Sequence, residues 1–278
     1  MQKAVFLDVD GTLANNNGIV PASAAAAVQQ ARKNGHFIFI STGRTKAELF
    51  SDILDIGFDG IIAAAGGYIE YENNVLLHQT VKQEDVAYLV NFFNQHKIDF
   101  YLESNGGLYA SKNCKTRIRK IIDDFILKNP ESRSEVEKGI MPFHDALVAG
   151  EELVRPDINK ISFLGSDVPI ETITEEFSSK FHVIPCTVSL FGKNSGELSI
   201  PGIHKATAIA QLLEHLQLSK EHTYAYGDGM NDIEMLEYAQ YGIAMGNAKE
   251  PVKQAADDIT ETPDNNGIYN SFVKYGII

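Results

Sequence analysis

The chain has 278 residues, 44% of them apolar and 22% charged, the balance of a folded protein with room for one large or two modest cores. Its 37 acidic and 24 basic side chains give a formal charge of −13, which argues against a nucleic-acid or anionic-membrane surface, because phosphate backbones require clustered Lys and Arg. A small phosphorylated ligand remains compatible, since one Lys, backbone N–H groups and a metal can hold it locally. Cys114 and Cys186 share no metal-ligand spacing and read as reduced thiols. No apolar run approaches the ~18 residues of a membrane span. The first strand begins too close to the N-terminus for a signal peptide, so a cytoplasmic protein is expected.

The opening run Ala4-Val5-Phe6-Leu7 ends abruptly in Asp8-Val9-Asp10-Gly11-Thr12. An apolar run of that length reads as a buried parallel strand whose C-terminal end opens into a site. After the Asn15–Gly18 loop, an Ala-rich helix is expected over 22–34, stopped by Gly35. His36–Ile40 is a second strand, running into Ser41-Thr42-Gly43-Arg44. A helix over 45–56 and a third strand, 60–65, ending at Gly66-Gly67, complete a β-α-β-α-β rhythm, which implies a parallel sheet with right-handed crossovers. Residues 68–72 and 75–80 alternate around Asn73-Asn74 as a hairpin.

From about residue 83 the texture changes to mixed helices and hairpin strands. Helices are expected at 84–96, 114–128 and 169–180, and strands at 99–104, 108–112, 158–164 and 182–187, with a polar stretch over 129–139. This is the pattern of an inserted α+β domain over 83–189, with hinges near 80–84 and 188–196. Strand 196–200 is expected to return to the first domain, formed by 1–82 and 190–278. An amphipathic helix at 204–216 and a strand at 223–226 follow, the strand ending in Gly227-Asp228-Gly229-Met230-Asn231-Asp232. The fold class is therefore α/β, a Rossmann-like, mostly parallel core with an inserted α+β domain.

A doubly wound sheet gathers its strand ends along one edge. Asp8, Asp10, Asp228 and Asp232 would then form a cluster of four carboxylates with Lys205 and the Thr42 hydroxyl. Asp8 and Asp10, two apart on an extended backbone, would face the same side. At an effective dielectric of about 20, two such charges about 4 Å apart repel by roughly 4 kcal/mol. So many hard oxygens imply a cation, most simply Mg²⁺, which takes one or two carboxylates plus waters and phosphate oxygens. One carboxylate could then attack phosphorus, and a second could move protons. The residues alone do not say which is the nucleophile.

At these positions the sequence resembles the haloacid dehalogenase superfamily of phosphohydrolases. Asp8-Val9-Asp10-Gly11-Thr12 matches its DxDGT signature, and Ser41-Thr42-Gly43-Arg44, Lys205 and Gly227–Asp232 look like its second, third and fourth motifs. The long insert and the downstream Gly242–Ala248 segment resemble the Cof-type branch, with a large α+β cap. The resemblance implies Asp8 as nucleophile, Asp10 as acid/base, and Mg²⁺ on the Asp8 carboxylate, the Asp10 carbonyl and Asp228. It implies that Val9, Thr42, Gly43, Lys205 and Asn231 hold the phosphate. Asp232 would be an outer metal ligand or would orient metal-bound water or Lys205. Gly66-Gly67 and Asn266-Gly267 depart from the pattern of relatives at positions outside the phosphoryl-transfer set.

The expected activity is hydrolysis of small phosphorylated metabolites, sugar phosphates or phosphorylated cofactors, with the cap setting specificity. A phosphomutase using the same aspartyl-phosphate and a non-catalytic sensor of a phosphorylated metabolite are the alternatives. Arg44 reads equally as an ion-pair partner or a substrate contact, and Lys160 as a strand-surface lysine before a lysine that reaches the substrate.

Overall fold

The computed structural model describes residues 2–186 and 189–278. Two compact units divide the chain: residues 1–44, 49–78 and 203–278 form the first, and residues 45–48 with 79–202 the second.

The first unit is built on an eight-stranded sheet. Its strands are β1 (Ala4–Leu7), β2 (Phe37–Ser41), β3 (Gly60–Ala63), β4 (Tyr68–Tyr71), β5 (Asn74–His78), β12 (Thr223–Gly227), β13 (Tyr241–Ala244) and β14 (Asp258–Ile259). They lie in the order β14-β13-β12-β1-β2-β3-β4-β5. Every pairing from β14 to β3 is parallel, and β4 and β5 add an antiparallel edge. The helices of this unit are α1 (Ala22–Lys33), α2 (Ser51–Leu54), α8 (Lys205–Leu216), α9 (Ile233–Tyr238), α10 (Glu250–Ala255) and α11 (Gly267–Lys274).

Both sheet faces are covered, as a parallel sheet requires. Val5 and Leu7 of β1 point into one core with Ala24, Val28 of α1 and Ile268, Phe272 of α11. Ala4 and Phe6 point into the other, with Ile209, Leu212 and Leu213 of α8. This period-2 alternation on a strand buried on both sides is why the opening run is apolar at every position. The chain winds from β1 through β2 to β3 and returns on the far side through β12. The carboxyl ends of β1 and β12 therefore flank a topological switch point, the crevice where open α/β sheets take ligands.

The second unit holds a six-stranded sheet in the order β10-β11-β9-β6-β7-β8. Its strands are β6 (Phe100–Ser104), β7 (Gly107–Ala110), β8 (Leu147–Ala149), β9 (Ile158–Phe163), β10 (His182–Pro185) and β11 (Gly196–Ser199), and its helices α3 (Gln83–Gln95), α4 (Cys114–Lys128), α5 (Arg133–Gly139), α6 (Met141–Ala146) and α7 (Ile170–Phe177). The α3 and α7 stripes enter one core through Leu89, Phe93, Ile173 and Phe177, and α4 enters a second through Ile118 and Ile122. Cys114 is a buried free thiol, and Cys186 is half-buried. No helix among the described residues is long and apolar enough to cross a membrane.

Several sequence expectations are corrected. The strand at 196–199 does not return to the first sheet; it pairs antiparallel with β9 and β10. Its Leu198 faces the core of the second unit, a partnership that a short alternating strand cannot advertise by itself. The helix expected over 45–56 is a 3₁₀ turn at Lys46–Glu48 followed by the short α2. Glu48 there accepts from the Thr45 N–H and hydroxyl, and Phe50 is extended, which breaks the helical path. The polar 129–139 stretch carries α5, with α6 close behind. Residues 187 and 188, within the expected strand 182–187 and the expected hinge 188–196, lie outside the described residues.

Lys160 is not a surface lysine. It stands opposite Glu103 across β6 and β9, 3.2 Å from its carboxylate, and 2.8 Å from Glu197 of β11. Ser162 donates to Glu103 at 2.5 Å. Burial pushes the Glu103 carboxyl up to about 8, with Lys160 opposing and Glu48 and Glu197 adding to the push. A carboxyl raised in the folded state holds its proton there more tightly than in the unfolded chain. Its contribution is thus fully present below the ordinary carboxylate range and is lost as pH rises toward about 8. Urea unfolding should show stability falling between pH 5 and 8 by up to a few kcal/mol from this group. Glu103→Gln should flatten that slope; an unchanged slope would show that Glu103 ionises normally.

Candidate active site

Each chemically active side chain of the first unit sits at the end of a strand or the start of a helix. Asp8 follows β1, Thr42 and Gly43 follow β2, Asp228 follows β12, and Lys205 opens α8. Asp8 is anchored by its own N–H, which donates to the Tyr226 carbonyl at 3.0 Å as β1 leaves the sheet. The chain then turns: Thr12 and Ala14 N–H groups both donate to the Val9 carbonyl, and Leu13 N–H donates to the Asp8 carbonyl. Gly11 takes φ +79°, and a Cβ there would overlap the Asp228 carboxylate. Only glycine lets this turn lie against Asp228.

Lys205 is the centre of the cluster. Its side chain is 0% exposed, and its Nζ donates to Asp8 Oδ1 at 2.6 Å and Asp232 Oδ1 at 2.5 Å. A cation is disfavoured both by burial and by the helix N-terminus it occupies. Burial works against the ammonium, yet Asp232 and Asp8 together hold it above its ordinary value. Asp232 is wholly committed, its Oδ2 accepting from the N–H groups of Asp228 (3.0 Å) and Gly229 (2.8 Å). Asp232 makes the expected contact with Lys205 and also lies in the carboxylate group close enough to share an ion.

Asp8, Asp228 and Asp232 each offer a carboxylate oxygen, all within 4.8 Å of one another. Burial, then Asp232, drives the Asp8 carboxyl well above the usual range against the pull of Lys205. Burial and Asp232 likewise push Asp228 up to about 6. The Thr12 hydroxyl donates to Asp228 Oδ1 at 3.1 Å. Three carboxylates against one ammonium leave a formal charge of −2 in a water-poor site. Hard, clustered oxygens with that deficit are the donor set of a divalent cation of the Mg²⁺ type, so the residues fit the group.

The expected four-carboxylate cluster is three. Asp10 lies past the end of β1, in the turn, where the two-residue alternation of an extended chain no longer applies. Its side chain is 60% exposed and accepts two bonds from Arg44, Nε to Oδ2 at 2.8 Å and Nη2 to Oδ1 at 2.6 Å. Arg44, left ambiguous by the sequence, is thus a fork-shaped clamp on Asp10. Thr42 is buried, with its N–H on the Ile62 carbonyl at 2.9 Å and its Oγ1 accepting from Arg44 N–H at 3.2 Å. The loop after β3 supports this segment: Ala64 N–H donates to the Arg44 carbonyl and Ala65 N–H to the Thr42 carbonyl. Ala64 and Ala65 both take positive φ there, and Gly66 packs so closely on His204 that a Cβ would overlap its carbonyl. The Gly66-Gly67 departure thus places a glycine where the loop meets the residue before Lys205. Asn231 is exposed, with its Nδ2 3.4 Å from where a Gly43 Cβ would stand, so these two phosphate-site candidates are neighbours.

A parallel α/β core with an acid-ringed buried lysine at its switch point suits phosphoryl chemistry, and known proteins of similar sequence include phosphatases. Residues 5–272 match the profile of the haloacid dehalogenase-like hydrolases, and the chain belongs to that family. It is 26% identical to phosphatase YwpJ of Bacillus subtilis (strain 168) over 276 residues, covering 96% of this chain and 97% of that one. A solved structure of a hypothetical protein from Geobacillus kaustophilus HTA426 superposes with a TM-score of 0.81 at 27% identity, with both chains fully covered. The subclass IIB sugar phosphatase BT4131 superposes with a TM-score of 0.74 at 26% identity, again over the whole of both chains.

Gly11→Ala should lower kcat/KM by about 100-fold or more, since small misplacements at a reacting centre cost that much. Circular dichroism should show the fold retained. Turnover at the wild-type level would show that the Asp228 carboxylate can move aside without consequence.

Proposed function

We propose that this chain hydrolyses small phosphomonoesters, sugar phosphates among them, in a Mg²⁺-dependent reaction through an aspartyl-phosphate on Asp8. The observation that carries the reading is the largely buried excess of two negative charges that Asp8, Asp228 and Asp232 leave against Lys205. A carboxylate nucleophile there would be repelled by a phosphoryl group that is itself negative unless a cation offsets that excess, and this is the role given to a divalent ion. The sugar phosphatase name of one structural neighbour supports the substrate class.

Asp8 and Asp228, with the Asp10 carbonyl, would hold the ion, while Asp232 acts from behind through Lys205. When bound, the ion neutralises phosphoryl oxygens and orients them toward the carboxylate. Lys205, the Thr42 hydroxyl, the Gly43 and Val9 backbone and the Asn231 amide bind the remaining phosphate oxygens. An Asp8 oxygen attacks phosphorus as the ester P–O bond breaks, and Asp10 gives its proton to the departing oxygen. Asp10 then takes a proton from a water that attacks the same phosphorus. The bond to Asp8 breaks, inorganic phosphate leaves, and the carboxylate is restored. Arg44 holds Asp10 at this edge through both of its oxygens, and one of those contacts opens when Asp10 carries the proton. The inserted unit is assigned the choice of leaving group.

With an aryl phosphate, Asp8→Asn should lose at least about 1,000-fold in turnover while Mg²⁺ binding partly survives, because Asp228 remains. Chelation should silence the wild-type enzyme and Mg²⁺ should restore it, with inorganic phosphate and the free alcohol as products from a panel of sugar phosphates. Undiminished turnover by Asp8→Asn would end the nucleophile assignment. An isomeric sugar phosphate in place of free phosphate would make the enzyme a mutase.

A further inference from the structure

Asn247 follows β13, in the loop whose Ala248 N–H returns to the Met245 carbonyl at 2.9 Å. Its Nδ2 donates to the Gly11 carbonyl at 2.9 Å and to Asp228 Oδ2 at 3.1 Å. Both partners are acceptors only, so the amide can point one way: nitrogen toward Gly11 and Asp228, oxygen away from them. With Thr12 on Oδ1, the Asp228 carboxylate is held at both oxygens, by side chains that come from the ends of β1 and β13. The same amide fixes the turn that carries Gly11, the residue packed directly on that carboxylate.

The other half of the amide is unused. Asn247 Oδ1 is buried and has no hydrogen-bond partner among the described residues. A buried amide oxygen left without a donor is costly, and such atoms are usually met by an ordered water or a ligand. Mg²⁺ keeps several of its waters when only one or two carboxylates bind it, and those waters are donors. Groups that orient a ligating carboxylate commonly set metal affinity by 10–100-fold.

We propose that Asn247 is a positioning residue of the cation site, orienting Asp228 through Nδ2, with an ordered water meeting its buried Oδ1. The inference rests on reading Asp8 and Asp228 as cation ligands. Asn247→Leu keeps the branched shape and removes both hydrogen-bonding groups. Titration calorimetry of the metal-stripped enzyme with Mg²⁺ alone should show binding 10–100-fold weaker than wild type. At low Mg²⁺ the variant should turn over slowly, and raising Mg²⁺ should return kcat to within about threefold of wild type. Asn247→Ser, with a single short donor and acceptor, should fall between the two, and it carries the same test should the leucine variant fail to fold.

Wild-type Mg²⁺ affinity in the variants would overturn the inference, as would a loss of kcat that added Mg²⁺ cannot restore, the mark of a merely structural role. Asp228→Asn separates the two readings. A wild-type enzyme that binds no better than Asp228→Asn would bring down the cation site and the inference together. Tight wild-type binding, lost in Asp228→Asn and intact in Asn247→Leu, would bring down the inference alone.

Discussion

The Lys205 ammonium, sealed from water between Asp8 and Asp232, is the interaction on which the first unit's site depends. Burying three ions costs several kcal/mol each unless the geometry repays it, and here both contacts are short. The three residues come from the end of β1, the start of α8 and the turn after β12, so the triad fastens together segments about 200 residues apart in sequence. Asp232 completes the arrangement by accepting the N–H groups of the turn that presents Asp228. One lysine cannot neutralise three carboxylates. The surplus falls on Asp8 and Asp228, whose carboxyls are both driven upward, and this is the place left for a divalent ion.

Around that centre the parts divide by charge. Asp10 takes no share in the buried cluster and is held instead by Arg44 at the exposed edge. In the proposed reaction an exposed carboxylate can reach both a leaving group and water, which a dry interior one cannot. Gly11 and Thr12, between Asp8 and the first helix, are as much a part of the site as the acids. The glycine makes room for Asp228 and the threonine hydroxyl orients it.

Much of this was legible in the sequence because strand ends in a doubly wound sheet are predictable places. The opening apolar run, Thr42 and Asp228 could be put on one edge from the β-α-β rhythm. Lys205 gained its place from the order and spacing of motifs, because the strand expected before its helix belongs to the second unit. What the sequence could not supply was side-chain direction past the last hydrogen-bonded residue of a strand. Asp10 illustrates this: two residues beyond Asp8 in number, it lies in the turn, and its carboxylate meets Arg44 outside the buried cluster. Arg44 and Asn247 were hidden for a related reason, since their partners lie across loops and only coordinates show which acceptors they meet. Strand 196–199 was misplaced because its neighbours, β9 and β10, are chosen by packing in the second unit rather than by local pattern. Lys160 looked solvent-facing because the sequence does not reveal that Glu103 stands opposite it.

The account stands on one ion between two acids. Crystals soaked in Mn²⁺, a Mg²⁺ substitute with a strong anomalous signal, test it directly. The account predicts a single strong peak within bonding distance of both the Asp8 and Asp228 carboxylates, displaced from Lys205. A peak elsewhere, or Asp8 and Asp228 sharing no ion at saturating Mn²⁺, would contradict it.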